Sequence, residues 1–135
     1  MILKIDYEVF KLVRAESEQF WFDPYTYLIV DKDSDEAEFI EDPIPFPFTE
    51  KNEAEKAYTK TFGKKPAQFF ESITDEKEFL NWFWGTVDDG GQNLTDYRIF
   101  EDKYSLKKII DWCEKNGINY YVDKSDWYLK SFIGG

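Results

Sequence analysis

Proline occupies every second position in the run Asp42-Pro43-Ile44-Pro45-Phe46-Pro47-Phe48. Each ring fixes φ and removes an amide donor, and each proline pushes the residue before it out of the helical region. The run must therefore be extended, and no helix can pass through it. It also lacks the PxxP spacing of common polyproline ligands, which favours a packed connector. It separates a first third with strand-like texture from a remainder in which helical and strand-like spacings mix.

In the first third, Leu3, Ile5, Tyr7 and Val9 alternate with Lys4, Asp6 and Glu8, the period-two pattern of a half-buried strand. The stretch from Phe20 to Val30 is aromatic and β-branched, and its Pro24 implies an edge or a bulge. Asp31-Lys32-Asp33-Ser34-Asp35 has turn chemistry and leads into a short strand from Glu36 to Ile40. The expectation is an antiparallel meander.

Beyond the prolines, Thr49 is placed to cap a polar helix of about 12 residues ending near Gly63. Asp75 and Glu78 form a capping-box pattern ahead of Phe79, Leu80, Trp82 and Phe83, with a helix end near Trp84. Residues 88–93 read as a loop and Tyr97–Phe100 as a strand. Ser105 is expected to cap a helix whose Leu106, Ile109, Ile110 and Cys113 fall at i, i+3, i+4 and i+7, with Gly117 at its left-handed C′ position. Ile118–Val122 and Trp127–Ile133 read as strands joined by a hairpin turn at Lys124-Ser125-Asp126. Of Tyr120 and Tyr121, adjacent in a strand, one must face out. The expected fold is a single α+β domain over residues 1–135: a mainly antiparallel sheet, N-terminal meander plus C-terminal strands, with about three helices packed on it.

The residue inventory removes most chemistry. The chain has no His and one Cys, so Ser-His-Asp and Cys-His catalysis and a structural zinc site are not expected. Cys113 lies on the apolar helix face, where a thiol behaves as a small hydrophobe. Asp31, Asp33 and Asp35 open like an EF-hand loop, but Glu36 stands where the sharp turn demands Gly and Asp42 where the bidentate Glu belongs. Gly90-Gly91 is not followed by the Lys-Ser/Thr of a phosphate loop. No cofactor, metal or catalytic residue is expected. A carboxylate-only enzyme is the third-ranked reading.

Aromatic residues make up 20% of the chain, enough to supply a core. Trp82-Phe83-Trp84, Tyr120, Tyr121, Trp127 and Tyr128 could form a stacking surface, but base stacking normally accompanies a basic groove. The net charge is −11, which disfavours nucleic acid and anionic membrane as partners and favours a basic protein. Residues 1–48 hold 12 acids against 4 bases, and residues 31–42 alone hold seven acids and one Lys. In overall composition, though in no particular residues, the chain resembles the acidic immunity and inhibitor proteins that bacteria and phages use against nucleases. The leading expectation is a non-catalytic protein that occludes a basic partner such as a nuclease or nucleic-acid-binding effector. Asp31, Asp33, Asp35, Glu36, Glu38, Glu41 and Asp42 would supply charge, with Tyr121 and Trp127 as aromatic anchors. The alternative is an accessory or ligand-binding domain whose acidity serves solubility. The start of the chain lacks the pattern of a signal peptide, no apolar run approaches the length of a membrane span, and a lone thiol suits reducing conditions, so the cytoplasm is the expected location.

Overall fold

The computed structural model describes residues 1–14, 19–50, 52–62, 75–88 and 92–133. They divide into two compact units, Met1–Lys51 with Ser105–Gly135, and Asn52–Tyr104. The class is α+β, as expected, but the sheet is not mainly antiparallel. It consists of a parallel pair and a separate three-stranded antiparallel sheet.

In the first unit, strand β1 (Leu3–Ile5) is shorter than the alternation through Val9 implies. Asp6 ends it. Its carboxylate accepts the Val9 amide at 3.1 Å, and helix α1 (Tyr7–Leu12) begins there, turning Phe10 and Val13 inward. The stretch expected as one strand from Phe20 is two, β2 (Phe20–Phe22) and β3 (Ile29–Asp31), paired antiparallel with Phe22 opposite Ile29. Between them Asp23 accepts the Tyr25 amide at 2.9 Å, and Tyr27 sits at a left-handed φ of 61°. Residues Asp35–Phe39 form a 3-10 turn, not the expected third strand. Strand β4 (Ile44–Pro45) keeps the extended backbone that the prolines require. It pairs with β2, so the order is β3–β2–β4, and the expected meander is corrected: neither β1 nor Glu36–Ile40 is a strand of this sheet. Pro45, which has no amide to donate, lies on an edge strand.

Strand β5 (Tyr120–Val122) runs parallel to β1, with Leu3 opposite Tyr120 and Ile5 opposite Val122. The segment Trp127–Ile133, expected as a strand, is helix α5. The supposed hairpin turn before it is an Asp123–Ser125 turn followed by a helix cap. The Asp126 carboxylate accepts the amides of Tyr128 and Leu129 at 2.9 and 3.3 Å, and its other oxygen accepts the Tyr7 amide at 3.0 Å. The main core gathers Leu3, Ile5, Val13, Phe22, Phe46, Ile109, Cys113 and Ile118. Trp112 packs edge-on against Phe22 and Phe46 while its indole N–H donates to the Pro45 carbonyl at 2.9 Å.

In the second unit, helix α2 (Glu53–Thr59) continues into a 3-10 turn at Lys60–Phe62. Its N-cap is Asn52, at a left-handed φ of 64°, rather than Thr49. Thr49 lies in the first unit, donating its amide to the Val13 carbonyl at 2.7 Å. Gly63, the expected end of this helix, lies outside the described residues. Asp75 does cap helix α3 (Glu76–Val87), accepting the Glu78 amide at 3.0 Å, and the helix runs about one turn past Trp84. Phe79, Phe83, Val87 and Tyr97 form this unit's core.

Helix α4 (Gln92–Lys115) replaces two expectations. Gln92 and Asn93 belong to it, not to a loop, and residues 89–91 lie outside the described set. Tyr97–Phe100 is helical too, because Leu94, Tyr97, Glu101 and Tyr104 recur at three- and four-residue steps. Ser105 is therefore not a cap. It is buried mid-helix, and its hydroxyl accepts from the Arg14 guanidinium at 3.2 Å. The helix ends as expected: Gly117 has φ of 65°, and the amide of Ile118 reaches back to the Cys113 carbonyl at 2.9 Å.

Candidate functional site

The acidic segment begins where β3 ends. Asp31 is half-buried, and its carboxylate folds back to accept the Asp33 amide at 2.8 Å. Its carbonyl accepts the Ser34 hydroxyl at 2.6 Å. These bonds close the turn that starts the 3-10 segment, which carries Asp35, Glu36 and Glu38. With about three residues per turn, Asp35 and Glu38 stand one above the other, Glu36 aligns with Phe39, and Ala37 aligns with Ile40. Ala37 is buried and holds the turn against the unit. The acids thus rise on two adjacent sides of one short helix.

The far end is fixed as well. Asp42 adopts a left-handed φ of 55°, and its carboxylate accepts the Tyr25 hydroxyl at 3.0 Å. That hydrogen bond, with the nearby Asp42 charge, raises the Tyr25 phenol above its ordinary value. Asp33, Asp35, Glu36, Glu38, Glu41 and Asp42 are all exposed. Among the described residues, ion pairs join Lys4 to Asp6, Lys11 to Glu8, Arg98 to Glu101 and Lys107 to Asp111. None includes an acid of residues 31–42. Lys32, the segment's own cation, donates to the Gln19 side-chain amide at 3.0 Å.

The two expected anchors lie elsewhere in the same unit. Tyr121 is the outward member of its pair, on β5 beside Lys4, while Tyr120 is half-buried and donates to Glu114 at 2.9 Å. Trp127 opens α5, is 78% exposed, and touches the Tyr128 ring edge-on. Among the described residues, no hydrogen bond or ring contact joins either of them to the acidic segment. Most other aromatics fill the cores. Phe83 is fully buried, and Trp84 packs on Phe83 and Tyr97 with Arg98 over its ring.

The sequence reading missed Phe39. It is 83% exposed, in the middle of the acidic turn. Its signal was the period of three shared by Glu36 and Phe39 and by Ala37 and Ile40. Tyr25 and Leu28, in the loop that Asp42 ties down, are exposed too.

The remaining chemistry is quiet. Burial pushes the Cys113 thiol up to about 11, so little of it is thiolate at neutral pH. Glu53 and Glu101, both half-buried, each accept a tyrosine hydroxyl, from Tyr104 and Tyr97 respectively. Among the described residues no cluster of three or more carboxylate or thiol ligands is placed to hold a metal ion, and no helix is long and apolar enough to cross a membrane. Comparison with protein-family models, curated proteins and solved structures returns no match to the chain.

Proposed function

We propose that the chain is a non-catalytic binding protein that neutralises a basic protein partner, of the kind represented by a nuclease or nucleic-acid-binding effector, in the reducing environment of the cytoplasm. The observation that carries this reading is the exposure of Asp33, Asp35, Glu36, Glu38, Glu41 and Asp42, which have no ion-pair partner among the described residues. Like charges crowded at this density repel one another, and charge needed for solubility alone can be scattered. Cations on a partner would relieve that repulsion. Carboxylates pairing with the Lys and Arg that otherwise hold phosphate would block the partner's own substrate site. The electrostatic field would speed the encounter.

The test is the triple variant Asp33→Asn, Asp35→Asn, Glu38→Gln, measured for association with a purified basic nuclease across a sodium chloride series. All three side chains are exposed and uninvolved in the turn's side-chain hydrogen bonds, so the fold should hold or gain slightly in stability. Association at low salt should slow by about three- to tenfold and become less sensitive to salt. A variant that associates like the wild type at every salt concentration refutes the reading and leaves solubility as the role of the charge.

A further inference from the structure

Phe39 is a large ring standing in water on a backbone that is held in place. The 3-10 turn is anchored by buried Ala37, closed at its start by the Asp31–Ser34 bonds and followed, three residues after Phe39, by Asp42 bonded to Tyr25. Three residues of chain span at most about 11 Å, so the Phe39 backbone lies within that distance of the Asp42 backbone. Tyr25, whose hydroxyl meets Asp42, is itself 59% exposed. Asp35, Glu36, Glu38 and Glu41, all within four residues of Phe39 in the chain, are exposed as well.

Resting on the reading of residues 31–42 as a partner-binding face, we infer that Phe39 is the central anchor of that face and that its occupant is a protein surface with an apolar recess rimmed by Lys or Arg. An aromatic anchor that is desolvated on binding and ringed by charges is the arrangement that concentrates binding energy at protein interfaces. The charge complementarity selects the partner. Nucleic acid and anionic membrane are repelled by this rim, and a bare polycation would satisfy the carboxylates while leaving the ring in water. The held backbone adds to the effect, because a ring presented on an ordered turn loses little freedom when it docks.

The probes are two synthetic peptides of equal length and charge, one lysine-rich with interspersed leucines, the other with serine in place of each leucine. Wild-type protein should bind the leucine peptide about tenfold more tightly. Phe39→Ala should erase that preference and leave affinity for the serine peptide unchanged, with an unaltered circular dichroism spectrum, since the ring supports no core. Trp127→Ala should keep the preference, because that ring, also exposed, has no hydrogen bond or ring contact with the acidic turn among the described residues. Equal binding of both peptides by the wild type, or a preference that survives Phe39→Ala, overturns the anchor. If Asp33→Asn, Asp35→Asn, Glu38→Gln still weakens both peptides in that case, the acidic face stands and the anchor alone falls. If it weakens neither, both readings fall.

Discussion

Replacing Ile109 with Ala tests the packing of the first unit at its centre. The side chain is fully buried, and its cluster draws Leu3 and Ile5 from β1, Val13 from the end of α1, Phe22 from β2 and Ile118 from the run into β5. Removing about three methylene equivalents costs about 2.5 kcal/mol of transfer free energy. Neighbours contributed by so many elements cannot all close in on the void, so the cavity adds about another 1 kcal/mol and the total approaches 3–4 kcal/mol, inside the usual range for such changes. Cys113 belongs to the same cluster and is the chain's one thiol, so its labelling reports the opening of this unit. In the native state the thiol is buried and mostly protonated, and an opened molecule restores ordinary reactivity. If labelling follows the population of the open form, 3–4 kcal/mol should raise its rate about 100- to 1000-fold. Ile99→Ala, in the same helix but 40% exposed, should stay within about threefold of wild type. Equal labelling rates for the two variants would mean that the apolar face of α4 has been misread.

Three further outcomes are expected. Asp126→Ala should lower stability by about 1–3 kcal/mol in thermal melts, because one carboxylate caps α5 and also accepts the first amide of α1, and Asp126→Asn should recover part of the loss. Burial, followed by the charges of Glu101 and Glu55, raises the Tyr97 phenol above its ordinary value. The neutral form is favoured in the folded state, so the corresponding stability is complete below about pH 10 and is lost as pH climbs above it. Tyrosinate absorbance should therefore show Tyr97 ionising only with cooperative unfolding, a late phase missing in Tyr97→Phe. Finally, EDTA should leave the melting temperature unchanged, and a drop of several degrees would reopen Asp31, Asp33 and Asp35 as ligands.

The parts of the fold that were legible are those in which one local rule acts without competition. The alternate prolines force extended backbone wherever they sit. Asp75 caps the helix it precedes, and Leu106, Ile109, Ile110 and Cys113 mark a face that only a helix can bury, closed by the one glycine that its left-handed terminus needs. Short apolar runs were not legible. Trp127–Ile133 is rich in strand-favouring residues, and seven residues are too few for periodicity to separate the two structures. A cap decided the outcome there, and Asp6 decided it for Tyr7–Leu12 in the same way. At Tyr97–Phe100 the abundance of aromatics hid a spacing that spreads over a much longer helix, and Ser105 looked like a beginning because its true partner, Arg14, is 91 residues away in sequence.

The candidate site divides along a related line. Its charge was legible because charge is a property of composition that survives any fold: whichever backbone residues 31–42 adopt, seven carboxylates and one Lys stay close together. Which apolar residue the segment presents depends on backbone period. As a strand, Ala37 and Phe39 would share a face, and packing Ala37 inward would carry Phe39 into the core with it. As a 3-10 turn, Ala37 shares its side with Ile40, and Phe39 is swung out beside Glu36. Ala37 is buried and Phe39 is 83% exposed, as the period of three requires and the period of two forbids. The expectation of Tyr121 and Trp127 as anchors follows from residue type and, for Tyr121, from strand alternation, neither of which says what lies beside the acidic segment. Both are exposed, yet they stand on β5 and α5, joined to the acidic turn by no hydrogen bond or ring contact among the described residues. The apolar group that the backbone sets among the carboxylates is the one whose exposure required the turn to be recognised first.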